Sequence, residues 1–263
     1  MTDTVTSRRS ALQIIAILLA VVVQIGATYL PALGIGENIG SRSDDVRTLI
    51  TPSGWAFAIW GPLFLGSIFY AIWQALPGQR DNPLLGRIGW WSVGGLSAQG
   101  IWAVYTQSAN LTFISAIIIL FSLVCLLAIM REVAALHRLM TTGERWLVGL
   151  LFTALAAWLT AASIVNISAA MVYHGVDFGD AAAVVTAGVV IVGGIIAAIA
   201  VARSRGAPWY AMVFLWALLA IYFRGGQEAA IIGYACIASA VLVAGTALSR
   251  LTDKGNRRFW TGW

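Results

Sequence analysis

Long apolar runs separated by short polar breaks set the pattern of this chain, and their limits fall where charges, glycines and prolines gather. Eight runs stand out, at about residues 11–33, 54–76, 88–106, 111–131, 146–172, 181–202, 207–223 and 229–249. A helix crosses the hydrocarbon core of a bilayer with about 20 apolar residues, so each run predicts one span. The runs are continuous and rich in Ala, Leu and Ile rather than alternating in polarity, which excludes a transmembrane β-barrel. The expected fold is all-α, a polytopic transmembrane helical bundle of about eight spans. Arg8 and Arg9 ahead of the first run give it the outline of a signal peptide, yet the run continues to Leu33 without a small-residue cleavage site and reads as a retained span.

Composition agrees with the pattern. Sixty per cent of residues are hydrophobic and 10% charged, against roughly a quarter charged in a soluble domain, so the bilayer is the expected partner. The net charge of +5 comes from cations scattered between spans, with no basic stripe, and nucleic acid is not an expected partner. With eight spans, 13 of the 16 Lys and Arg residues fall on the face that holds both termini and 3 on the other. That bias favours both termini in the cytoplasm, and the expected location is the plasma (inner) membrane, as a multi-pass chain. The segment Arg131–Arg145 reads as a short basic helix resting on anionic headgroups.

Candidate chemistry is sparse. Spans one to six carry no Asp, Glu, Lys or Arg away from their ends, which weighs against ion-coupled transport, since such pathways usually keep an intramembrane charge. Their uncharged polar residues include Gln99, Ser115, Ser122, Thr160, Ser163 and Asn166. Interhelical hydrogen bonding explains each, and ligand contact is the sharper reading. Arg224 and Glu228 flank Gly225-Gly226 and read as a local ion pair at a water-facing turn. Glycines 188, 193 and 194 read as a helix-contact surface. Cys125 and Cys236 lie midway along apolar runs as packed or lipid-facing thiols. His137 and His174 lack metal-site spacing, and no catalytic constellation is present.

Twelve tryptophans exceed what interface belts require. Trp90, Trp91, Trp146, Trp209, Trp260 and Trp263 lie near span ends, as does Trp73, and suit that role. Trp60, Trp102 and Trp158 lie within spans. Converging with Gln99 and Asn166, they would build an apolar pocket with a few polar fixings, the usual form of a small-molecule site. The loop Gly34–Ser53, ahead of Pro52 and the second span, reads either as a solvated connector or as a lid over a binding mouth.

Three stretches bear a resemblance to the tryptophan-rich sensory proteins, relatives of the mitochondrial translocator protein. Pro52, Trp55, Phe57 and Trp60-Gly61-Pro62-Leu63-Phe64 resemble that family's proline-led second helix. Leu96-Ser97-Ala98-Gln99-Gly100-Ile101-Trp102 is similar to its A-L-N-x-x-W, with glutamine for asparagine. Trp158-Leu159-Thr160-Ala161-Ala162-Ser163-Ile164-Val165-Asn166 resembles W-x-x-F-A-T-x-L-N. The resemblance covers about residues 10–174 and implies a five-helix ligand-binding unit over residues 1–174; the remaining runs, at 175–263, read as a three-helix transmembrane extension with a basic tail that has no counterpart in the short family members. It implies a hydrophobic planar ligand of tetrapyrrole type, a porphyrin or haem-like molecule, with no cofactor required. Trp60, Phe64, Gln99, Trp158, Ala162 and Asn166 would line the site, Trp102 would support it, and Trp55 counts among the ligand-binding residues. The missing L/V-Tyr-Lys/Arg pattern around Tyr173 argues against sterol binding. A sensory or regulatory role is the leading expectation, a transporter or permease for a small hydrophobic molecule is the alternative, and a porphyrin-degrading enzyme is a third reading. A homodimer is a candidate assembly.

Overall fold

The computed structural model describes residues 9–263, so Arg8 lies outside the described residues. These form α1 (Ala11–Gly26), α2 (Ile39–Asp45), α3 (Trp60–Ala75), α4 (Pro83–Ala109), α5 (Phe113–Ala134), α6 (Thr142–Glu144), α7 (Leu151–Tyr173), α8 (Ala182–Arg203), α9 (Pro208–Tyr222), α10 (Gly225–Glu228), α11 (Ala230–Leu251) and α12 (Lys254–Thr261). No strand occurs among them, and the protein is an all-α, polytopic helical bundle.

Local chemistry sets the helix ends. Ser10, Asn82 and Thr112 cap α1, α4 and α5 by accepting bonds from backbone N–H groups one turn in. Thr141 and Glu144 form a reciprocal capping box ahead of a π-helical turn, Arg145–Leu150, that leads into α7. Pro31 removes an α-helical donor, so α1 tightens into a 3-10 turn, Ala27–Leu33, which stops at Gly34 with φ of 76°. Span two starts as a 3-10 turn, Gly54–Ile59, and becomes α3 at Trp60. Pro62 then falls in the first α-helical turn, where a missing N–H costs nothing.

Seven helical stretches are long and apolar enough to cross a membrane: Ala11–Leu33, Gly54–Ala75, Phe113–Ala134, Thr142–Tyr173, Gly179–Arg203, Pro208–Glu228 and Ala230–Leu251. The eighth expected span is α4, whose 27 residues reach about 40 Å. It is less apolar because it runs through the middle of the bundle, burying Ser92, Gln99, Thr106 and Gln107 against other helices. It also starts at Pro83, five residues before the expected 88, because Leu84 and Leu85 are fully buried and carry the helix past Gly86-Arg87.

α4 packs between α1 and α5, α5 packs on α7, and α3 leans on α1 and α7. α9 joins α7 to α11, and α11 packs along α8. Lipid removes most of the hydrophobic drive between helices, so close packing and buried hydrogen bonds hold this arrangement. Gly194 meets Ser239 across α8 and α11, and Gly193 meets Ile164 of α7, whereas Gly188 faces open space.

Two further expectations change. Residues 135–141 are irregular rather than helical: Leu136 and Met140 are buried, and Arg205 ties the segment down through the carbonyls of Ala134 and Leu136. Trp260 is fully buried against the protein rather than presented to lipid headgroups, its indole donating to the Ser204 carbonyl at 3.2 Å.

Candidate functional site

α3 stands off from α4, and the space between them is a cavity of about 370 Å³ roofed by α2. α1 contributes Gln24, α3 contributes Trp60 and Phe64, and α4 contributes Gln99, Trp102, Ala103 and Gln107. A narrower cavity of about 50 Å³ adjoins it, bounded by Trp158, Ala162 and Asn166 of α7 with Ala217 and Ile221 of α9. Ile39, Ser43, Phe57 and Trp102 line both. Sequence reasoning named seven residues that line one cavity or the other. Trp55 lines neither: it is 42% exposed and packs edge-on against Trp216 at 4.7 Å.

The walls are aromatic. Trp60 stacks on Phe64, one turn further along α3, at 5.1 Å and 27°. Trp158 meets Trp60 edge-on at 6.1 Å, and Phe57 meets Trp158 in the same way at 6.1 Å. The rings thus offer both faces and edges to a flat apolar guest.

Polar groups are few and mostly spent on the protein. Gln24 Nε2 donates to Gln99 Oε1 at 2.8 Å, and Gln99 Nε2 donates to the Gly95 carbonyl at 3.2 Å. This pairing needs α1 close to α4. Gly100 allows it, since a Cβ there would lie 2.5 Å from the Val23 carbonyl oxygen. Trp102 Nε1 donates to Asn166 Oδ1 at 2.7 Å, and Asn166 Nδ2 donates to Ser115 Oγ at 2.8 Å. Asn166 therefore ties α4 and α5 to α7 and orients the Trp102 indole. Left without partners in the cavity walls are the side-chain amide oxygens (Oε1) of Gln24 and Gln107 and the indole nitrogen of Trp158, all buried.

The roof reaches the last hairpin of the chain. Arg224, which follows α9, lines the large cavity. Its Nη2 donates to Asp44 Oδ1 at 2.6 Å and its Nη1 to the Pro52 carbonyl at 3.1 Å. Arg47 pairs with Glu228. The local Arg224–Glu228 pair expected from the sequence is replaced by these two crossings, because both side chains face the α1–α3 loop rather than each other. Gly225 touches the loop so closely that a Cβ there would overlap the Leu49 carbonyl. On the other flank Arg42 approaches Glu37 at 3.4 Å and donates to the Gln107 carbonyl at 3.2 Å.

Gln24, Phe57, Gln107, Asp44 and Arg224 line the large cavity but are not among the site residues expected from the sequence. Gln24, an amide in an apolar span, carried the same signal as Gln99. The Asp44–Arg224 contact had no local signal. Among the described residues no group of three or more His, Cys, Asp or Glu gathers as a metal site.

A family model described as TSPO-like protein matches residues 10–249, which takes in all eight long helices up to the last turn of α11. No curated protein and no solved structure matches the chain.

Proposed function

The chain belongs to the TSPO-like family, and from that premise we propose that this integral membrane protein binds a hydrophobic planar ligand of tetrapyrrole type, in a sensory or regulatory role. The observation that carries the reading is the cavity between α3 and α4, whose wall holds Phe57, Trp60 and Phe64 and continues to Trp158. Its volume of about 370 Å³ falls in the range of small-molecule sites, roughly 300–1,000 Å³. Trp60 and Phe64 supply the stacking surface. Gln24 and Gln107 supply acceptors at the polar end, and the Trp158 indole a donor at the apolar end. Asn166 positions Trp102 rather than contacting the guest.

The charge bias across the spans supports a reading in which the termini of this plasma-membrane protein are cytoplasmic and the cavity roof is on the opposite face. A ligand then reaches the site from outside or from the lipid.

Titration of the purified protein with protoporphyrin, followed by tryptophan fluorescence, tests the reading. Saturable quenching is expected in the native sequence, and weaker quenching and affinity in the double variant Trp60→Phe with Trp158→Phe. Absence of saturation, or a titration unchanged by those substitutions, removes the proposal. Accumulation of the porphyrin in reconstituted vesicles would instead indicate transport, and chemical change of the bound ring an enzyme.

A further inference from the structure

Building on the cavity reading above, we infer that the ligand carries an anionic group, a carboxylate in the simplest case, and that Arg224 of the last hairpin receives it. The lining of the large cavity is neutral but for one cation, Arg224, and one acid, Asp44. The two are paired, yet unequally placed. The Asp44 side chain is 61% exposed, on a helix of seven residues, while that of Arg224 is 24% exposed and anchored to the Pro52 carbonyl.

Exposed ion pairs contribute little, because each partner is well solvated when they separate. Asp44 therefore leaves at small cost. The guanidinium, sheltered and held by the Pro52 carbonyl, stays at the cavity lining, and a planar fork of N–H donors suits a carboxylate that meets it with both oxygens. An acid group arriving from inside the cavity replaces Asp44 and leaves Arg224 neutralised. The apolar body of the same molecule then lies against Trp60 and Phe64. The guest is thus an amphipathic planar acid, its ring system between α3 and α4 and its acidic end under the roof. A cation supplied by the segment between α9 and α10 also gives the last three spans, α8, α9 and α11, a part in ligand choice.

Two probes of one ring system separate this from the broader reading: protoporphyrin, a dicarboxylic acid, and its dimethyl ester, which is neutral. Equilibrium affinities are measured for the native protein, Arg224→Gln and Asp44→Asn. The native protein is expected to prefer the acid by about tenfold or more, the value of a charge-assisted hydrogen bond. Arg224→Gln brings the two affinities to parity through loss of acid binding, and Asp44→Asn, which removes the competing carboxylate, widens the preference. Equal binding of acid and ester by the native protein, or a preference that survives in Arg224→Gln, overturns the inference while leaving the cavity reading intact. Should Arg224→Gln bind neither probe, Asp44→Asn decides: a wider preference supports the inference, and an unchanged or narrower one overturns it. Failure of the native protein to bind either probe removes the cavity reading and this inference with it.

Discussion

Trp102 and Asn166 are joined by a 2.7 Å hydrogen bond from indole Nε1 to amide Oδ1, and this bond crosses from α4 to α7. Asn166 passes the link on to Ser115 of α5. Buried bonds between membrane helices are worth about 0.6–1.7 kcal/mol, because the unfolded chain in lipid also finds partners. Reversible unfolding in mixed micelles should therefore give Asn166→Leu a loss in about that range. Trp102→Phe combined with Asn166→Leu should cost less than the sum of the two, the sign of a shared bond. Strict additivity would show that the two residues act separately.

The approach of α1 to α4 at Gly100 is tight enough that one added methyl meets the Val23 carbonyl oxygen at 2.5 Å. Gly100→Ala forces the helices apart or strains them, a change of the kind that costs about 1–3 kcal/mol. Since Gln24 reaches Gln99 only across this contact, ligand quenching should weaken with stability. Gly61→Ala is the control, because its added methyl meets nothing within 4 Å. Equal stability of the two variants would refute the close contact.

Helix positions were legible in the sequence because lipid forbids unpaired backbone groups, so each span had to be a helix with polar punctuation at its ends. The limits of α5, α8 and α11 lie within three residues of those expected. The start of α4 was not legible, since burial of Leu84 and Leu85 outweighs the Gly86-Arg87 break. At the site, Trp60, Gln99 and Trp158 could be named because each is out of place in a plain apolar span, and Phe64 only through the family resemblance. The crossing from Asp44 to Arg224 spans 180 residues. Spacing along a helix can only suggest near neighbours, and here it pointed Arg224 to Glu228. Trp55 and Trp260 show the converse: a tryptophan's position in a span does not say which way its ring turns.

The charge bias makes a direct prediction about sidedness. Val176 lies in the loop after α7 and Asn256 in the tail after α11, on opposite faces of an even-span bundle. Cys125 and Cys236 are buried, so an introduced cysteine can be read against a low background. A membrane-impermeant maleimide applied to intact cells should label Val176→Cys at once and Asn256→Cys only after permeabilisation. The reverse order would invert the orientation, and labelling of both in intact cells would mean that the three helices between them, α8, α9 and α11, do not all cross the membrane.

The loop between α1 and α3 is held by the last hairpin at two ion pairs, Asp44–Arg224 and Arg47–Glu228. Further bonds run from Ser53 and Trp216 across the same seam, to the carbonyls of Ala220 and Ala56. The Arg47 and Glu228 side chains are 43% and 42% exposed, so their pair adds at most about 1 kcal/mol and is weakened by salt. Breaking it should leave global unfolding almost unchanged while local opening of the roof becomes more frequent. In Arg47→Glu, amide exchange over residues 39–50 is expected to speed up by about two- to fivefold, corresponding to that energy. The double variant Arg47→Glu with Glu228→Arg restores the attraction with reversed polarity and should return exchange toward the native rate. High salt should narrow the difference between single variant and native protein. Because α2 roofs the cavity, faster opening should raise the rate of ligand association in Arg47→Glu. Exchange that is equally fast in the single and the double variant would show that the backbone seam at Ser53 and Ala220, and not the charges, holds the roof.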